Sequence, residues 1–286
     1  MIIRNSHAKV NLYLKVLNKR TDGYHDIASL MQKIDLADEM EFRAAGTGIR
    51  LSCPGSGLPE DSRNLVYRAA RAILDAAGEK RGIEIVLRKK IPTGAGLGGG
   101  SSNAATTLAA INEVLKLGFS RGELIGMGSK IGADVPFFIY GGRAWAFGIG
   151  EVLKPAGDIP DMSFLLVNPG FEVSTKTVYE GLNLSVNFGL TKGPTTFNIP
   201  VFNRSGGLKD IAGMLHNDLE AVTLNLHPQL KEIKKELLRC GALASLMSGS
   251  GPTVFGVFED EEGASRAAAE LKMESGWSVF TARSLE

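Results

Sequence analysis

The sequence predicts an α+β protein of two domains. Segments with the two-residue alternation of strands and segments with helical spacing follow each other in mixed order along 286 residues, which is typical of helices packed against antiparallel sheets. A chain of this length forms one large or two ordinary domains. A stretch that begins and ends with proline, residues 155–160, is the best boundary, so residues 1–157 and 158–286 are expected to form the two domains.

Composition excludes several classes of protein. Hydrophobic residues make up 44% and charged residues 22% of the chain, which argues against disorder. The 32 Lys and Arg side chains nearly balance 31 Asp and Glu, so no strong basic field attracts nucleic acid or an anionic membrane. The sequence has no long apolar run, and Cys53 and Cys240 lack metal-ligand spacing. We therefore expect a cytoplasmic protein with reduced thiols and a small-molecule partner.

The first part of the chain combines strands with one helix. Alternation over residues 8–14 predicts a strand with Lys9 and Asn11 on its polar face. A segment rich in turn formers comes next, and an aromatic pair, Tyr24 and His25, follows it directly. The other elements expected here are strands near residues 40–44, 49–53 and 83–87, and a helix that Asn64 caps and Gly78 ends.

Residues 92–105 contain the densest group of glycines, five within the seven residues from Gly94 to Gly100. Glycine allows positive φ and a close approach of the backbone to a ligand, so successive amides can point at one anion. A helix is expected over residues 102–116, with Ser101 or Ser102 as its cap. Its first turn directs unpaired N–H groups and the positive end of its dipole into the loop. The pattern predicts a binding site for a polyphosphate.

Two better-known glycine motifs fit this stretch less well. Gly94, Gly96 and Gly99 match G-x-G-x-x-G, but the parallel strand and acidic residue that a dinucleotide fold requires do not follow. The stretch is also close to a P-loop, but Gly100 stands where the lysine is needed. A tight glycine turn without a ligand remains the alternative.

The mixed order continues after this stretch. Residues 121–131 have the pattern of a helix, and a turn containing Asp134 leads to an expected strand over residues 137–140 and a hairpin over residues 143–150. Residues 184–207 lack periodicity and are expected to form a long surface connection. The other predicted elements are strands at 164–167, 242–247, 253–258 and 277–282 and helices at 175–182, 208–215, 228–240 and 261–273.

A second glycine-serine segment, from Ser248 to Gly251, lies between two of these strands. Alone, such a segment is more often a simple hairpin turn. Together with the first glycine loop, one in each expected domain, it is suited to hold a triphosphate and its acceptor in the cleft between the domains.

Lys9 and Asp134 are candidates for acid–base chemistry. Each also has an ordinary explanation, as a solvated lysine on an edge strand and as a carboxylate in a turn. If the fold brings them together, the pair can orient and deprotonate a hydroxyl group. Tyr24 and His25 also have two possible roles, because aromatic groups after a turn serve either in packing or in stacking on a base. The four histidines of the chain have no metal-ligand spacing.

A resemblance to a known family is carried by five segments: Ala8-Lys-Val-Asn-Leu12, Asp22-Gly-Tyr-His25, residues 92–105, Gly132-Ala-Asp-Val-Pro136, and Ser248 to Gly251. They resemble the motifs of the GHMP kinase superfamily, named for galactokinase, homoserine kinase, mevalonate kinase and phosphomevalonate kinase. The match runs along nearly the whole chain. Within it, Asp-Gly-Tyr-His and the Gly-Leu-Gly-Gly-Gly-Ser-Ser-Asn-Ala-Ala form of the loop are features of the branch whose acceptor carries a cytidine diphosphate.

The resemblance implies both a fold and a reaction. The fold has an N-terminal domain like ribosomal protein S5 domain 2 and a ferredoxin-like C-terminal domain. The reaction transfers the γ-phosphoryl group of ATP, with Mg²⁺, to the 2-hydroxyl of 4-diphosphocytidyl-2-C-methyl-D-erythritol in the non-mevalonate route to isoprenoids. The expected protein is a monomer or weak homodimer with no nucleic-acid or membrane partner.

Residue roles carry over from the resemblance position by position. Asp134 matches the general base and Lys9 its cationic partner, while Asn11 lies with them in the acceptor site. Tyr24 and Tyr179 match aromatics on either side of the cytosine, and His25 matches the group that hydrogen-bonds to it. On the nucleotide side, the match places Asn64 and Lys89 near the adenine and Gly249, Ser250 and Gly251 in the third motif. The residues over the phosphates are Pro92, Gly94, Gly96, Leu97, Gly98, Gly99, Gly100, Ser101 and Ser102. The match does not identify the metal ligands: a Mg²⁺ site of the family type can use the Ser101 or Ser102 hydroxyl, and the sequence shows no carboxylate ligand.

Three alternatives stay open: another GHMP kinase acting on homoserine or mevalonate, a non-catalytic nucleotide-binding regulator on the same scaffold, and an S5-like RNA-binding module. Tyr24, His25 and Tyr179 speak against the first, because those acceptors offer no base to stack. The presence of both Lys9 and Asp134 argues against the second. The neutral charge and the paired glycine loops disfavour the third.

Overall fold

The computed structural model describes residues 1–182, 200, 202, 207–274 and 276–286, with no side-chain description at residues 273 and 274. The surface connection predicted over residues 184–207 lies almost entirely outside the described residues. Within them, the chain forms a seven-stranded and a four-stranded sheet together with nine helices. The prediction of an α+β protein built as two units is confirmed.

A long hairpin forms the centre of the larger sheet. Its strands, β1 (Ile2–Lys19) and β2 (His25–Ala45), pair antiparallel along nearly their whole length. The register shifts immediately before Lys9 and again immediately after Asn11. Bulges of this kind bend a strand and redirect its side chains, so the two shifts bracket the segment that carries both polar groups.

The other elements of the first unit surround this hairpin. Two helices cover one face of the sheet through a buried cluster that includes Met40, Phe42, Ile73 and Leu108. In chain order the elements are β3 (Ile49–Ser52), α1 (Leu65–Ala77), β4 (Gly82–Arg88), α2 (Gly99–Val114), α3 (Arg121–Ser129), α4 (Val135–Tyr140), β5 (Arg143–Gly148) and β6 (Val152–Pro155). The covering helices are α1 and α2, β4 and β5 both pair with β2, and β3 and β6 pair with β4 and β5.

The second unit is built on the smaller sheet. Its elements are β7 (Ser163–Asn168), α5 (Thr175–Glu180), α6 (Gly207–Met214), β8 (His216–Asn217), α7 (Glu220–Leu226), α8 (Leu230–Arg239), β9 (Ala244–Met247), β10 (Val254–Phe258), α9 (Glu261–Glu274) and β11 (Ser278–Arg283). The sheet has the order β11-β7-β10-β9, and every neighbouring pair is antiparallel. Buried side chains of α8 and α9, among them Leu237 and Leu271, pack with those of the sheet.

The two units share a hydrophobic core. Leu12 and Leu30 of the hairpin lie in one buried cluster with Phe164 and Phe255 of the smaller sheet. In addition, β8 leaves the second unit and pairs in parallel with β1. These contacts fix the two units against each other, so a cleft between them has defined walls. The domain limits at 1–157 and 158–286 stay a prediction. The strand β8 follows residue 158 in the chain but pairs with β1 of the first unit.

One predicted strand is a helix. Residues 137–140 belong to α4, which has Pro136 in its first turn. Proline there supplies a backbone angle suited to helix initiation. A four-residue apolar run does not by itself distinguish a buried helix from a strand, so the strand prediction was wrong. The segments α7 and β8 were not predicted, because a seven-residue helix and a two-residue strand are too short to show a period.

The start of α2 also differs from the prediction. The helix begins at Gly99, and its N-cap is Gly98 in the left-handed region, at φ 69°, with no side-chain capping bond. Ser101 and Ser102 therefore lie inside the helix rather than at its cap. No helix in the described part of the chain is long and apolar enough to cross a membrane.

Candidate active site

A cleft of about 1140 Å³ runs between the two units. Its walls come from β1 and the turn after it, the glycine loop, the start of α4, α5, and the turn between β9 and β10. Nearly all of the predicted site residues line it: Lys9, Asn11, Tyr24, His25, Asn64, Lys89, Pro92, Gly94, Gly96, Leu97, Gly98, Gly99, Gly100, Ser101, Asp134, Tyr179, Gly249 and Ser250. Ser102 and Gly251 lie behind this wall.

The glycine loop is wedged between the two units. Gly96 has φ 76°, and a Cβ atom built on it falls 2.1 Å from the carbonyl oxygen of Ser248. No side chain fits there. The Gly96 carbonyl accepts a hydrogen bond from Ser248 Oγ at 2.9 Å, and the backbone N–H of Lys9 donates to the carbonyl of Leu97 at 3.0 Å. The loop is thus held by a strand of the first unit and a turn of the second.

The N-terminus of α2 opens toward the cleft. Because Gly98 has no side chain to cap the helix, the N–H groups of its first turn keep their capacity for a ligand. Ser101 is half-buried and lines the cleft. The Ser102 hydroxyl is buried and accepts a hydrogen bond from Ser6 Oγ at 2.8 Å. Of the two serines predicted as metal ligands, Ser101 is therefore the one that faces the cleft.

Gly251 and Ser250 belong to the turn that presses on the glycine loop. The N–H of Gly251 donates to the carbonyl of Ser248 at 2.9 Å, and a Cβ on Gly251 would meet Met247 Sδ at 2.6 Å. The Ser250 hydroxyl lies 2.8 Å from Thr175 Oγ1 at the start of α5. Gly251 therefore stabilises the turn on the side away from the cleft. Ser250 connects the turn to α5, the helix that contains Tyr179.

Lys9 and Asp134 meet in the cleft. Lys9 Nζ lies 3.6 Å from Asp134 Oδ2, and the two side chains are 5% and 30% exposed. Lys9 is thus almost fully enclosed, while the carboxylate remains open to a ligand. Asp134 is the N-cap residue of α4, but its side chain makes no capping bond. The carboxylate is therefore oriented by the contact of its Oδ2 with the cation rather than by the helix.

Asn11 completes this polar group. Lys9 Nζ donates to Asn11 Oδ1 at 2.5 Å and to the Gly96 carbonyl at 3.2 Å. Asn11 Nδ2 donates to Ser29 Oγ at 2.8 Å, and Ser29 Oγ in turn donates to the Tyr13 carbonyl. The chain of donors fixes the Asn11 amide with its oxygen toward Lys9.

The aromatic residues form the far end of the cleft. The rings of His25 and Tyr179 lie with centroids 5.0 Å apart and planes inclined by 30°, whereas Tyr24 is 60% exposed. Burial, followed by the charge of Lys19, lowers the pKa of His25 below its usual value of 6.5. Burial and the negative charge of Asp134 raise the pKa of Tyr179. At neutral pH, His25 is an uncharged imidazole and Tyr179 keeps its hydroxyl proton.

The two residues predicted near the adenine are engaged in the protein itself. Asn64 Oδ1 caps α1 through the N–H of Val66 at 2.9 Å, and Asn64 Nδ2 donates to the Pro59 carbonyl at 2.8 Å. Lys89 forms an ion pair with the buried carboxylate of Asp38. Both residues border the cleft, but neither side chain is a free polar group.

Sequence reasoning missed several polar residues that hold the cleft together. Asp38 sits in a strand among other charged residues and carries no motif. Asn217 is buried and donates from Nδ2 to the carbonyls of Met247 and Gly249, each at 2.8 Å. Thr175 reaches across to Ser250. Only tertiary contacts distinguish these residues from ordinary polar side chains. Among the described residues, no cluster of three or more His, Cys, Asp or Glu side chains is suited to hold a metal ion.

Comparison with known proteins gives consistent results at the level of sequence. The profile described as GHMP kinases N terminal domain matches residues 64–142, and the one described as GHMP kinases C terminal matches residues 201–274. A protein of Syntrophus aciditrophicus called 4-diphosphocytidyl-2-C-methyl-D-erythritol kinase is 55% identical over 98% of both chains. One of the same name from Syntrophotalea carbinolica is 48% identical over 96% of this chain and 95% of its own length.

Solved structures agree with this. A crystal structure of 4-(cytidine 5'-diphospho)-2C-methyl-D-erythritol kinase superposes with a TM-score of 0.82 at 35% identity and covers both chains completely. A homoserine kinase from Cytophaga hutchinsonii superposes with a TM-score of 0.69 at 23% identity over 98% of this chain and 95% of its own. At that identity the second likeness concerns the fold alone.

Proposed function

The chain belongs to the GHMP kinases, and we propose that this ATP-dependent small-molecule kinase phosphorylates the 2-hydroxyl of 4-diphosphocytidyl-2-C-methyl-D-erythritol. The observation that carries the proposal is one cleft that holds the Lys9–Asp134 pair, with the glycine loop at one side and the contacting rings of His25 and Tyr179 at the other. Relatives that are 55% and 48% identical to this chain, over nearly its whole length, carry the name of that kinase.

The glycine loop and α2 supply the phosphate site. Phosphoryl transfer requires little covalent help from the protein, so positioning and stabilisation of charge provide most of the rate. The uncapped first turn of α2 offers backbone N–H groups and the positive end of a helix dipole. We place the triphosphate of ATP there, with its γ-phosphoryl group directed toward Asp134.

Mg²⁺ fits the oxygen donors at this position. Ser101 and Asp134 both line the cleft, and their side chains carry oxygen donors. Because Mg²⁺ keeps several waters and binds phosphate oxygens of the nucleotide, few protein ligands are needed, and we propose Ser101 as the residue that holds it. When bound, the ion neutralises charge on the phosphate oxygens.

Lys9, Asn11 and Asp134 orient the acceptor hydroxyl. The open carboxylate of Asp134 accepts the proton of the 2-hydroxyl, which makes the oxygen a better nucleophile. Lys9 lies between this carboxylate and the Gly96 carbonyl of the phosphate loop. Its charge therefore holds the Asp134 carboxylate, on the acceptor side, at a fixed distance from the loop that binds the phosphate donor.

The aromatic end of the cleft is proposed to bind the cytosine. Tyr179 offers a ring face, Tyr24 offers an exposed ring, and the neutral imidazole of His25 can exchange hydrogen bonds with the base. Stacking on an aromatic ring contributes on the order of 1–3 kcal/mol per base. Acceptors without a base, such as mevalonate and homoserine, have nothing to place there.

ADP release is the direct test of this proposal. The enzyme with Mg-ATP is offered 4-diphosphocytidyl-2-C-methyl-D-erythritol, mevalonate, homoserine or no acceptor. We expect ADP only with the cytidyl acceptor. ADP formation with mevalonate or homoserine instead would retain the kinase but contradict the assignment of the aromatic end. Bound ATP without turnover on any acceptor would favour a regulator.

We further infer that the protein acts in the cytoplasm as a monomer or weak homodimer, without a nucleic-acid partner. The net charge of +1 supports the absence of a partner that binds mainly through charge, such as a nucleic acid. Sedimentation at micromolar concentration tests the oligomeric state, and a stable higher oligomer would contradict it.

A further inference from the structure

The carboxylate of Asp38 is a buried centre of hydrogen bonds next to the nucleotide side of the cleft. Asp38 lies on β2 with no exposed surface. Its Oδ1 accepts from the backbone N–H groups of Lys90 at 2.7 Å and of Ile91 at 2.9 Å. Its Oδ2 accepts from Asn103 Nδ2 at 2.9 Å and pairs with the Lys89 ammonium. A buried carboxylate with four donors is fully satisfied, and losing one partner is costly.

These donors come from both ends of the glycine loop. Lys90 and Ile91 connect β4 to Pro92, where the loop begins. Asn103 lies in α2, just after the loop has entered the helix. A single carboxylate therefore sets the distance between the strand that feeds the loop and the helix that receives it. Asp38 itself does not line the cleft.

Asp38 also places a cation beside the phosphate site. The Lys89 side chain is only 10% exposed, yet the residue borders the cleft. Its Nζ lies 3.2 Å from the point that a Cβ on Gly99, the first residue of α2, would occupy, and 3.4 Å from Asn103 Oδ1. Without the carboxylate, Lys89 would keep only the longer contact with Asn103 Oδ1, and its flexible side chain would hold the charge less firmly at the first turn of this helix.

The network continues to one serine of β1, Ser6, and one serine of α2, Ser102. Asn103 Nδ2 donates to Ser6 Oγ at 2.9 Å, and Ser6 Oγ donates to Ser102 Oγ at 2.8 Å. Ser6 and Asp38 are also partners across the β1–β2 hairpin. The first turns of α2 are thus fastened to the central hairpin through buried side chains, of which Asn103 alone borders the cleft.

From this geometry we propose that Asp38 is a positioning residue for nucleotide binding. It acts through Lys89 and through the backbone at both ends of the glycine loop, and it leaves the acceptor end of the cleft untouched. The inference rests on the proposed function for its nucleotide, ATP, and is independent of which acceptor is phosphorylated.

The isosteric variant Asp38→Asn tests this. The amide keeps the size of the side chain but replaces one acceptor oxygen by a donor that faces other donors. We expect the KM for ATP to rise about tenfold or more, the scale of one charge-assisted hydrogen bond, while the acceptor KM changes less than about twofold. The matched control is Asp35→Asn on the same strand, whose carboxylate accepts from Arg283 N at 2.8 Å and which does not line the cleft. It should leave both KM values unchanged.

Direct binding of Mg-ADP separates this inference from the acceptor assignment. Calorimetry without any acceptor should show the same loss of affinity in Asp38→Asn, even if the acceptor proves to be a different molecule. Unchanged affinity for ADP, or equal increases in both KM values, overturns the proposal. If the variant does not fold, Asn103→Ala removes one of the four donors. It should raise the KM for ATP alone, and no change there overturns the proposal as well.

A double-mutant cycle with Lys89→Met tests the route of the effect. If Asp38 acts through Lys89, the combined variant loses less affinity for ADP than the product of the two single losses. Independent losses that multiply would show that the carboxylate does not act through the lysine.

Discussion

At the scale of single residues, Lys9 joins the polar groups at the centre of the cleft. Its ammonium lies near three oxygens, of Asn11 at 2.5 Å, of the Gly96 carbonyl at 3.2 Å and of Asp134 at 3.6 Å. An almost fully enclosed lysine is stable only with such partners. The arrangement joins the group that receives the acceptor's proton to the loop that holds the phosphates, so the distance between them depends on one side chain.

Asp134→Asn is expected to keep the fold and nucleotide binding but to lose most of the turnover. The amide retains the size of the side chain but cannot take the proton of the acceptor hydroxyl, and general-base catalysis contributes roughly 10²–10⁴-fold. Steady-state kcat and calorimetric binding of Mg-ADP measure the two effects. Asp260→Asn, at the start of α9 away from the cleft, is the control. Turnover like that of the unmodified enzyme would remove Asp134 from the mechanism.

At the scale of elements, the contacts of the glycine loop explain why three of its positions are glycine. Gly94, Gly96 and Gly98 all have positive φ. A Cβ on Gly98 would lie 2.9 Å from the ring of Phe138 on α4, and one on Gly96 would collide with the Ser248 carbonyl. Each glycine thus permits a different neighbour to approach the loop. The same close approach exposes backbone N–H groups to a phosphate.

Gly96→Ala is expected to weaken nucleotide binding strongly. The Cβ atom would fall 2.1 Å from a backbone oxygen, so the loop and the turn after β9 must separate. Positive φ adds strain of about 1–3 kcal/mol for a residue other than glycine. Gly118→Ala is the matched control, because Gly118 has φ 80° and open space around its Cβ position. ADP affinity and melting temperature are measured for both variants. The loss in Gly96→Ala beyond that in Gly118→Ala measures the collision with the Ser248 carbonyl alone. Equal losses in both variants would contradict this explanation.

At the scale of the whole molecule, the cleft exists only because two units are fixed together. Lys9 and His25 come from the central hairpin, whereas Tyr179 and the turn at Ser248 come from the smaller unit. The shared core and the β8 strand hold these parts in register. The acceptor site therefore contains residues of both units, and the contact between the His25 and Tyr179 rings depends on how the two units pack together.

This assembly predicts a pH dependence of acceptor binding. His25 is buried against Tyr179, and its pKa lies below 6.5 in the folded protein. The imidazole is neutral at pH 7 and gains a proton only as the pH falls through that lowered value. Protonation removes its hydrogen-bond acceptor, so the acceptor KM should rise as the pH falls below 6.5.

The pH series is measured on the acceptor KM, with the KM for ATP as the internal reference. In His25→Gln the acceptor KM should be raised and nearly independent of pH over the same range. An equally steep rise in that variant would assign the pH dependence to another group.

Much of the fold follows from local patterns. The Asn64 and Gly78 caps, the strand around Lys9 and the helix after the glycine loop all depend on spacing within one element, which side-chain chemistry determines locally. The helix α4 was predicted as a strand because its apolar run is too short to show a period. Its identity is decided by packing against the helices around it, which sequence spacing does not contain.

The sequence by itself determined the two-unit α+β class, the glycine loop that predicts a phosphate site, and the motif residues, because each depends on residue type and spacing along the chain. Only the tertiary structure decided that Lys9 lies beside Asp134, that Ser101 rather than Ser102 faces the cleft, and that Asp38 fastens the loop. Those relations join residues that are distant in sequence. They arise from how bulged strands, a helix start and two packed units meet, and burial then requires every polar group at the junction to find a partner.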